Sequence, residues 1–417
     1  MKKKKIDIEK TPPQVLRAAD FLEKSLIGHK LAKRKLIGDL SIFFAGLGEK
    51  NKPIGARIFV GSSGVGKTYL AKLMAWVVLD AIELFDPEAP PPVTLINCSE
   101  LQERHELSKL VGSPPGYVGF FDPRAARDEK NPAILSQSNI DEPHRLIKAM
   151  DPKIKEMEDQ LVFLEKEMES LKSCFDRDSY IKKQKLRAAI EGLRDSIGPN
   201  RSVIIFDEFE KAHPNIWKIL LQILEEGRVV LGSGEITSFR NSFIFLTSNL
   251  GQEQIKKVLS GKPERIGLGA LEEISSTPTR GALLGEIVRA KVKKVLPTEL
   301  LGRFGGEEEI IDFQPLKPEE VRIILALKIE ILNKRLSEVG MRVVLCKSAE
   351  DFLVEKGYSP LYGARTMNAA IRMHLLKPLA TIKNLYPDIG VIKVTRSKEK
   401  DELEFWEETK PPSSQVK

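Results

Sequence analysis

The chain has 417 residues, 41% hydrophobic and 30% charged, with 66 basic against 59 acidic side chains and a net charge of +7. That length allows two or three domains, and the composition is that of a soluble globular protein with a charge-rich surface. The basic excess is small and partly due to Lys2–Lys5, so a nucleic-acid partner is not expected; Cys98, Cys174 and Cys346 lie too far apart for a metal site, and five scattered histidines add none.

Residues 1–20, with the lysine run and Pro12-Pro13, read as a polar, disordered tail. No apolar run follows the lysines, so a signal peptide is not expected. The most apolar helix, around Leu70–Phe85, is interrupted by Lys72, Asp80 and Glu83, which excludes it as a membrane span. A reducing, cytoplasmic setting is expected. From Phe21 to about Gly48, Leu26, Leu31, Leu36, Leu40 and Phe43 recur at helical spacing.

Arg57–Val60 reads as a short buried strand and Lys67–Leu79 as a helix. Between them stands Gly61-Ser62-Ser63-Gly64-Val65-Gly66-Lys67-Thr68, which fits the phosphate-loop pattern of Gly, four residues, Gly-Lys-Ser/Thr. Strand, glycine loop and helix are what phosphate binding needs. The glycines let backbone N–H groups turn inward, and the helix N-terminus adds partial positive charge. Lys67 can reach β- and γ-phosphates, and Thr68 can ligate Mg²⁺.

Strands are expected at Val93–Asn97, Ser202–Phe206 and Ser242–Leu246, with helices around Glu100–Leu110 and Asn215–Glu226. This alternation predicts an α/β fold with a parallel sheet covered on both faces. Gly116-Tyr117-Val118-Gly119 reads as a mobile loop presenting one aromatic.

The stretch 122–200 interrupts the rhythm. Ile147, Met150, Ile154, Met157, Leu161, Leu164, Met168 and Leu171 recur at steps of 3, 4, 3, 4, 3, 4, 3, a heptad seam. Asp151-Pro152 reads as the start of its main helix. Leu186, Ile190, Leu193 and Ile197 resume the spacing after a polar break at Ser173–Ser179, predicting an antiparallel coiled-coil hairpin. A helix over Lys153–Leu171 spans roughly 28 Å at ~1.5 Å per residue. Two amphipathic helices lying on the core surface are the alternative.

Val203–Phe206 is an apolar strand ending in Asp207-Glu208. After a phosphate loop such a strand supplies Asp207 as Mg²⁺ partner and Glu208 as the group that polarises an attacking water. The next strand ends in Thr247-Ser248-Asn249, whose amide can hold that water. From about Gln314 a smaller α+β domain is expected over 314–409: a helix from Pro318 through Leu336, a strand at Met341–Leu345, a short helix, a helix over about Ala364–Tyr386, and a hairpin of Val391–Val394 with Glu402–Trp406. Residues 410–417 read as a tail.

These motifs together resemble the AAA+ module of the Clp unfoldase and disaggregase family, the second ATPase module of its two-ring members above all. The residues that carry the likeness are Leu26-Ile27-Gly28, Ile54-Gly55, Gly61–Thr68, Leu110–Phe120, Phe206–Pro214, Leu220–Gly227, Phe239-Arg240-Asn241, Thr247–Gly251 and Tyr362-Gly363-Ala364-Arg365. The resemblance covers nearly the whole chain outside 122–200 and the tails. It implies a large ATPase domain over 21–313, ATP and Mg²⁺ as cofactors, and Ile27 at the nucleotide.

By the same likeness Asn249 is the sensor of the γ-phosphate and Arg365 a second sensor from the small domain. Arg303 is an arginine finger acting on the neighbouring subunit, which implies a homo-hexameric ring; the family has Asn before this Arg where Gly302 stands here. Tyr117 and Val118 are the pore loop that grips protein substrates. Ile266-Gly267-Leu268 is similar to the tripeptide with which some Clp ATPases dock a ClpP-like peptidase. The sequence reads as a single module with no first ring, and the family's second module carries no hairpin at 122–200; the hairpin is expected to dock a partner or adaptor, or to contact neighbouring subunits. Three functions remain open: a threading unfoldase feeding a peptidase, a peptidase-independent disaggregase, and an ATP-switched scaffold acting through the coiled coil.

Overall fold

The computed structural model describes residues 11–122, 131–170, 177–253, 280–359 and 363–407. Five strands form one parallel sheet: β1 (Gly55–Gly61), β2 (Thr94–Asn97), β3 (Ser202–Asp207), β6 (Ser242–Ser248) and β7 (Ile310–Phe313), in the order β2-β3-β6-β1-β7. In register, Ile204 pairs with Ile244 and Ile58 with Leu246.

The strands are continuous apolar runs because both faces are covered. Alternation then divides their side chains between two cores. Phe59, Val203, Ile205, Phe243 and Phe245 join Leu22 of α1 (Pro13–Ser25), Leu36 of α2 (Lys30–Phe44) and Met74 of α3 (Lys67–Val78). Ile58, Ile204, Phe206, Ile244 and Leu246 join Leu220 and Ile223 of α8 (Asn215–Glu226) on the other side, and the short antiparallel pair β4 (Arg228–Val230) and β5 (Ile236–Ser238) follows α8. The rhythm read from sequence is therefore present, with β7 as a strand that the sequence did not announce.

Before the small domain, three segments differ from expectation. The tail expected over 1–20 is helical from Pro13: Val15 and Ala18 are buried at helical spacing with Phe21 and Leu22, and proline opens the helix where its missing N–H costs nothing. The helix expected over Glu100–Leu110 is broken into 3₁₀ turns at Cys98–Glu100 and Arg104–Leu107 followed by the single turn α4 (Ser108–Val111). The insertion expected over 122–200 is shorter. Ala133, Leu135 and Ile140 belong to the core beneath the sheet, and α5 (Gln137–Lys148) packs beside β2 and β3.

The hairpin itself consists of α6 (Pro152–Ser170) and α7 (Arg177–Ile197), packed on each other. Asp151 Oδ1 accepts from the Lys153 N–H at 2.9 Å and caps α6. No residue of α6 is fully buried, whereas Leu186 and Ile190 of α7 are. The half-buried positions of α6 are led by Ile154, Met157, Leu161, Leu164 and Met168, the seam read from sequence. Met150 is 64% exposed and stands outside it. The root is fastened to the ATPase core: Lys148 Nζ donates to Gly198 O at 2.9 Å and Asn200 Oδ1 at 3.2 Å, and the Arg201 N–H donates to His144 Nδ1 at 2.7 Å.

The large domain closes with α9 (Arg280–Val295), α10 (Thr298–Phe304) and β7. The small domain follows. Its α11 (Pro318–Glu338) buries Val321, Leu325, Leu332 and Leu336 against Phe352 and Leu353 of α12 (Lys347–Gly357) and a mixed sheet of β8 (Arg342–Leu345), β9 (Val391–Arg396) and β10 (Leu403–Glu407). The long helix expected over Ala364–Tyr386 is α13 (Met367–Ile371), a π turn at Arg372–Leu376 and α14 (Lys377–Leu385).

Candidate functional site

A cleft of 440 Å³ lies between the two domains and is lined by the phosphate loop, Asp207, Glu208, Thr247, Asn249 and Ile27 from the large domain, and by Leu316, Ile324, Leu327, Lys328, Ile331, Ala364, Arg365 and Asn368 from the small one. The loop runs from the C-terminal end of β1 into α3. Gly64 and Gly66 adopt φ +72° and +104°, a conformation that side chains resist, so the backbone can curl around an anion. No side chain caps α3, leaving its first N–H groups facing the loop.

Lys67 Nζ folds back inside the loop. It donates to Gly61 O (2.9 Å), Ser62 O (2.7 Å) and Asn249 Oδ1 (3.0 Å). Burial lowers its pKa to about 8, against the opposing pull of Glu210, Asp207 and Glu208; Arg365 adds to the lowering. Ser62 Oγ is buried without a partner among the described residues. An uncapped helix end, a buried lysine and an orphaned hydroxyl together fit a phosphate chain.

The Thr68 hydroxyl donates to Asp207 Oδ1 at 2.9 Å, and Thr247 Oγ1 donates to the same oxygen. Thr68 and Asp207 are thus adjacent oxygen donors, a pair suited to a hydrated Mg²⁺. Glu208 follows in a left-handed conformation, φ +54°, which turns the chain sharply at the end of β3. Its carboxylate accepts from Lys211 Nζ (2.6 Å) and Asn249 Nδ2 (3.3 Å). Asn249 therefore bridges Lys67 and Glu208.

The small domain touches the loop directly. The Ala364 N–H donates to Gly64 O at 3.1 Å, and a Cβ on Gly363 would lie 2.4 Å from that oxygen. Only glycine allows this approach, which brings Arg365 into the cleft. On the other side His29 Nε2 donates to Val65 O at 2.8 Å, and its ring lies 4.6 Å from that of Phe313 at the end of β7. Burial lowers the His29 pKa. The loop is thus held from both sides of the chain's turn into the small domain.

Of the residues singled out in the sequence, Gly61, Ser62, Ser63, Gly64, Val65, Gly66, Lys67, Thr68, Asp207, Glu208, Asn249, Ile27 and Arg365 are brought together here. Arg303 is not: it is half-exposed on α10 and pairs with Glu225 of α8 at 2.8 Å. Tyr117 and Val118 are 70% and 100% exposed on a separate loop, closed by a bond from Ser113 Oγ to Val118 O at 3.1 Å. Ile266, Gly267 and Leu268 lie outside the described residues. Sequence reasoning missed Lys328 and Asn368, bonded at 2.6 Å, and Glu210. Lys328 was legible in principle, since it shares a helical face with Ile324 and Ile331.

Residues 52–145 and 134–306 match the family model of the AAA domain (Cdc48 subfamily), and residues 316–384 match that of the C-terminal, D2-small domain of ClpB protein. Similar curated proteins are each named Chaperone protein ClpB. That of Meiothermus ruber is 30% identical over 368 residues, covering 88% of this chain and 32% of the relative. That of Bacteroides thetaiotaomicron is 31% identical over 367 residues, covering 88% and 32%. That of Rhizobium meliloti is 31% identical over 394 residues, covering 94% and 34%. The chain spans about a third of the length of these relatives.

Proposed function

Since the chain belongs to the AAA domain family and is an ATPase of the Clp type, we propose that it uses ATP hydrolysis to remodel or unfold other proteins, drawing polypeptide through a ring of its own copies. The observation that carries this reading is the contact of Gly363-Ala364 on Gly64, which makes one cleft of two domains. In this reading a change in the cleft's occupancy alters the angle between the domains, and that angle is the motion a ring transmits.

In this reading Lys67 and the loop N–H groups bind the phosphates, and Ile27, Leu316, Ile324 and Ile331 form an apolar slot for the base. Thr68 and Asp207 would hold Mg²⁺, which would supply charge neutralisation at the phosphates. Asn249 Nδ2 and Glu208 orient a water, and Glu208 accepts its proton. Arg365 adds positive charge from the small domain. Arg303 points away from its own cleft and reaches the site of an adjoining copy.

The exposed Tyr117-Val118 pair offers a grip that ignores sequence, since an aromatic packs on backbone and side chain alike. The relatives' shared name is that of a chaperone, which supports the peptidase-independent form over one that feeds a ClpP-like peptidase. No helix among the described residues is long and apolar enough to cross a membrane. Cys98 and Cys346 are free thiols, as a reducing compartment such as the cytoplasm would keep them.

The test measures ATP turnover, unfolding of a tagged fluorescent protein, and molecular size in ATP. Glu208→Gln is expected to bind ATP and assemble without turning over, and Tyr117→Ala to hydrolyse without unfolding. Unfolding that survives Tyr117→Ala, or a monomer in ATP, would overturn the threading ring. Capture of a ClpP-type peptidase, lost on changing Ile266 and Leu268, would restore the peptidase form.

A further inference from the structure

The loop that presents Tyr117 is tied to itself at its tip. Residues 114–119 are exposed, the Tyr117 N–H donates to Pro114 O at 3.2 Å, the Phe120 N–H to Tyr117 O at 3.1 Å, and Ser113 Oγ to Val118 O at 3.1 Å. Such local bonds shape the tip but do not fix where it stands. Its height is set by its two stems.

Both stems rest on one turn, Leu231–Glu235, between β4 and β5. On the incoming stem, the Gly232 N–H donates to Val111 O at 2.6 Å. On the outgoing stem, the buried Asn131 donates through Nδ2 to Ser233 Oγ at 3.2 Å and Glu235 Oε2 at 2.5 Å. The turn is closed by the Leu231 N–H on Glu235 O at 2.8 Å and the Gly234 N–H on Leu231 O at 2.9 Å. The stems are also bonded to each other, Ile134 N–H to Lys109 O and Leu135 N–H to Leu110 O, both at 2.9 Å. Beneath them Leu110, Ala133, Leu135 and Leu231 share one buried cluster.

The closest approach is at Gly232. A Cβ there would lie 2.7 Å from Gly112 O and from the carbonyl carbon and oxygen of Ser113, all backbone atoms. Gly232 has no positive φ, so space and not backbone conformation demands glycine. Gly234 is the reverse case: its φ is +84° and nothing lies within 4 Å of its Cβ position.

We propose that the Leu231–Glu235 turn is the mount of the polypeptide-gripping loop, and that Gly232 is its positioning residue, setting where the Gly112-Ser113 stem stands and so where Tyr117 meets an extended chain. This rests on the threading reading above and adds to it residues that touch neither nucleotide nor the tip of the loop. The mount is joined to the nucleotide site through α8, which runs from the turn after Glu208 to the start of β4.

An Ala at 232 must push the stem back by about 1 Å to restore ordinary contact. The measurement is the affinity of a fluorescent unfolded polypeptide for ATP-bound rings in a Glu208→Gln background, beside basal ATP turnover and melting temperature without that change. Gly232→Ala is expected to weaken polypeptide binding by about tenfold or more while ATP turnover stays within about twofold. Gly234→Ala strains the same turn through its φ but leaves the stem alone, so its polypeptide affinity stays within about twofold of the wild type.

Gly232→Ala rings that bind polypeptide as the wild type does, or Gly234→Ala rings that lose as much, would overturn the proposal. If Gly232→Ala does not fold, the exposed-side double change Ser233→Ala with Glu235→Ala decides, since it frees the Asn131 stem and should weaken binding in the same direction; unaltered binding there overturns the mount. Tyr117→Ala rings that keep full polypeptide affinity would instead overturn the threading reading, a different failure and distinguishable from this one.

Discussion

Arg303 Nη2 lies 2.8 Å from Glu225 Oε1, joining α10 to α8 on the surface away from the nucleotide cleft, with both side chains nearly half-exposed. An exposed pair of this kind contributes ~0–1 kcal/mol to stability, so the contact holds the guanidinium without committing it. If Arg303 serves an adjoining copy, as proposed, it can leave Glu225 at little cost.

Arg303→Ala is therefore expected to leave the melting temperature and ATP binding unchanged and to lower turnover by roughly 10³ or more. Mixing supplies the stricter measurement. Rings assembled from Arg303→Ala and Glu208→Gln protomers contain sites with a base from one chain and a finger from the other. Turnover of the mixture should exceed that of either variant alone. A mixture no more active than its parts would show that Arg303 does not act between chains.

The seat of the small domain gives a second expectation. A Cβ at residue 363 would lie 2.4 Å from Gly64 O, at φ +58°. Gly363→Ala must lift the small domain off the phosphate loop or strain its own backbone by about 1–3 kcal/mol. At ~1.4 kcal/mol per tenfold, ATP affinity should fall about 5- to 150-fold. The control is Gly390→Ala, where nothing lies within 4 Å and no left-handed conformation is required. Titration of both variants with ATP checks this, and equal affinities would mean that the contact is not used in binding.

The sequence made the phosphate loop, Asp207, Glu208 and Asn249 legible because each sits at the C-terminal end of a strand whose apolar run is unmistakable, and the strand–helix alternation places those ends side by side. Strand β7 was not legible: Ile310–Phe313 is four residues long and follows three glutamates, too short for a pattern to show. Nor was α5. Its apolar residues Ile140, Leu146 and Ile147 are mixed with Pro143 and charges, and they merge with the heptad seam that follows. Glu210 escaped because a single acid in a polar turn carries no pattern.

Acid should loosen the root of the hairpin. His144 is buried, and burial with the neighbouring Lys148 and Arg201 charges lowers its pKa to about 3. Its Nδ1 accepts the Arg201 N–H and must stay unprotonated to do so. The folded pKa lies below the unfolded value of 6.5, so this contribution is fully present above about 6.5 and is lost as pH falls from there toward about 3. The unfolded chain takes up about one more proton over that window, steepening the loss of stability. His144→Asn, which keeps an acceptor but cannot be protonated, should flatten the slope of unfolding free energy against pH. An unchanged slope would exclude His144 as the titrating group.

The hairpin should be separable from the catalytic core. It has no fully buried residue on α6, and α7 buries Leu186 and Ile190 within the pair. The bonds from Lys148 to Gly198 and Asn200 hold the two ends of the insertion together without help from the helices. Replacing residues 153–197 with a short Gly/Ser linker leaves those bonds, β3 and the cleft in place. Closing a short loop in place of a long one adds only a small entropic term. Basal ATP turnover should stay within about twofold and the melting temperature within about 4 °C, a change of less than ~1 kcal/mol. What should change is the response of turnover to protein substrate or partner, since Val162 and Phe163 on the outer face of α6 are exposed apolar groups that serve no fold. Loss of basal turnover would mean that the hairpin supports the nucleotide site. A deletion variant indistinguishable from the wild type in every substrate assay would remove the hairpin from the functional account.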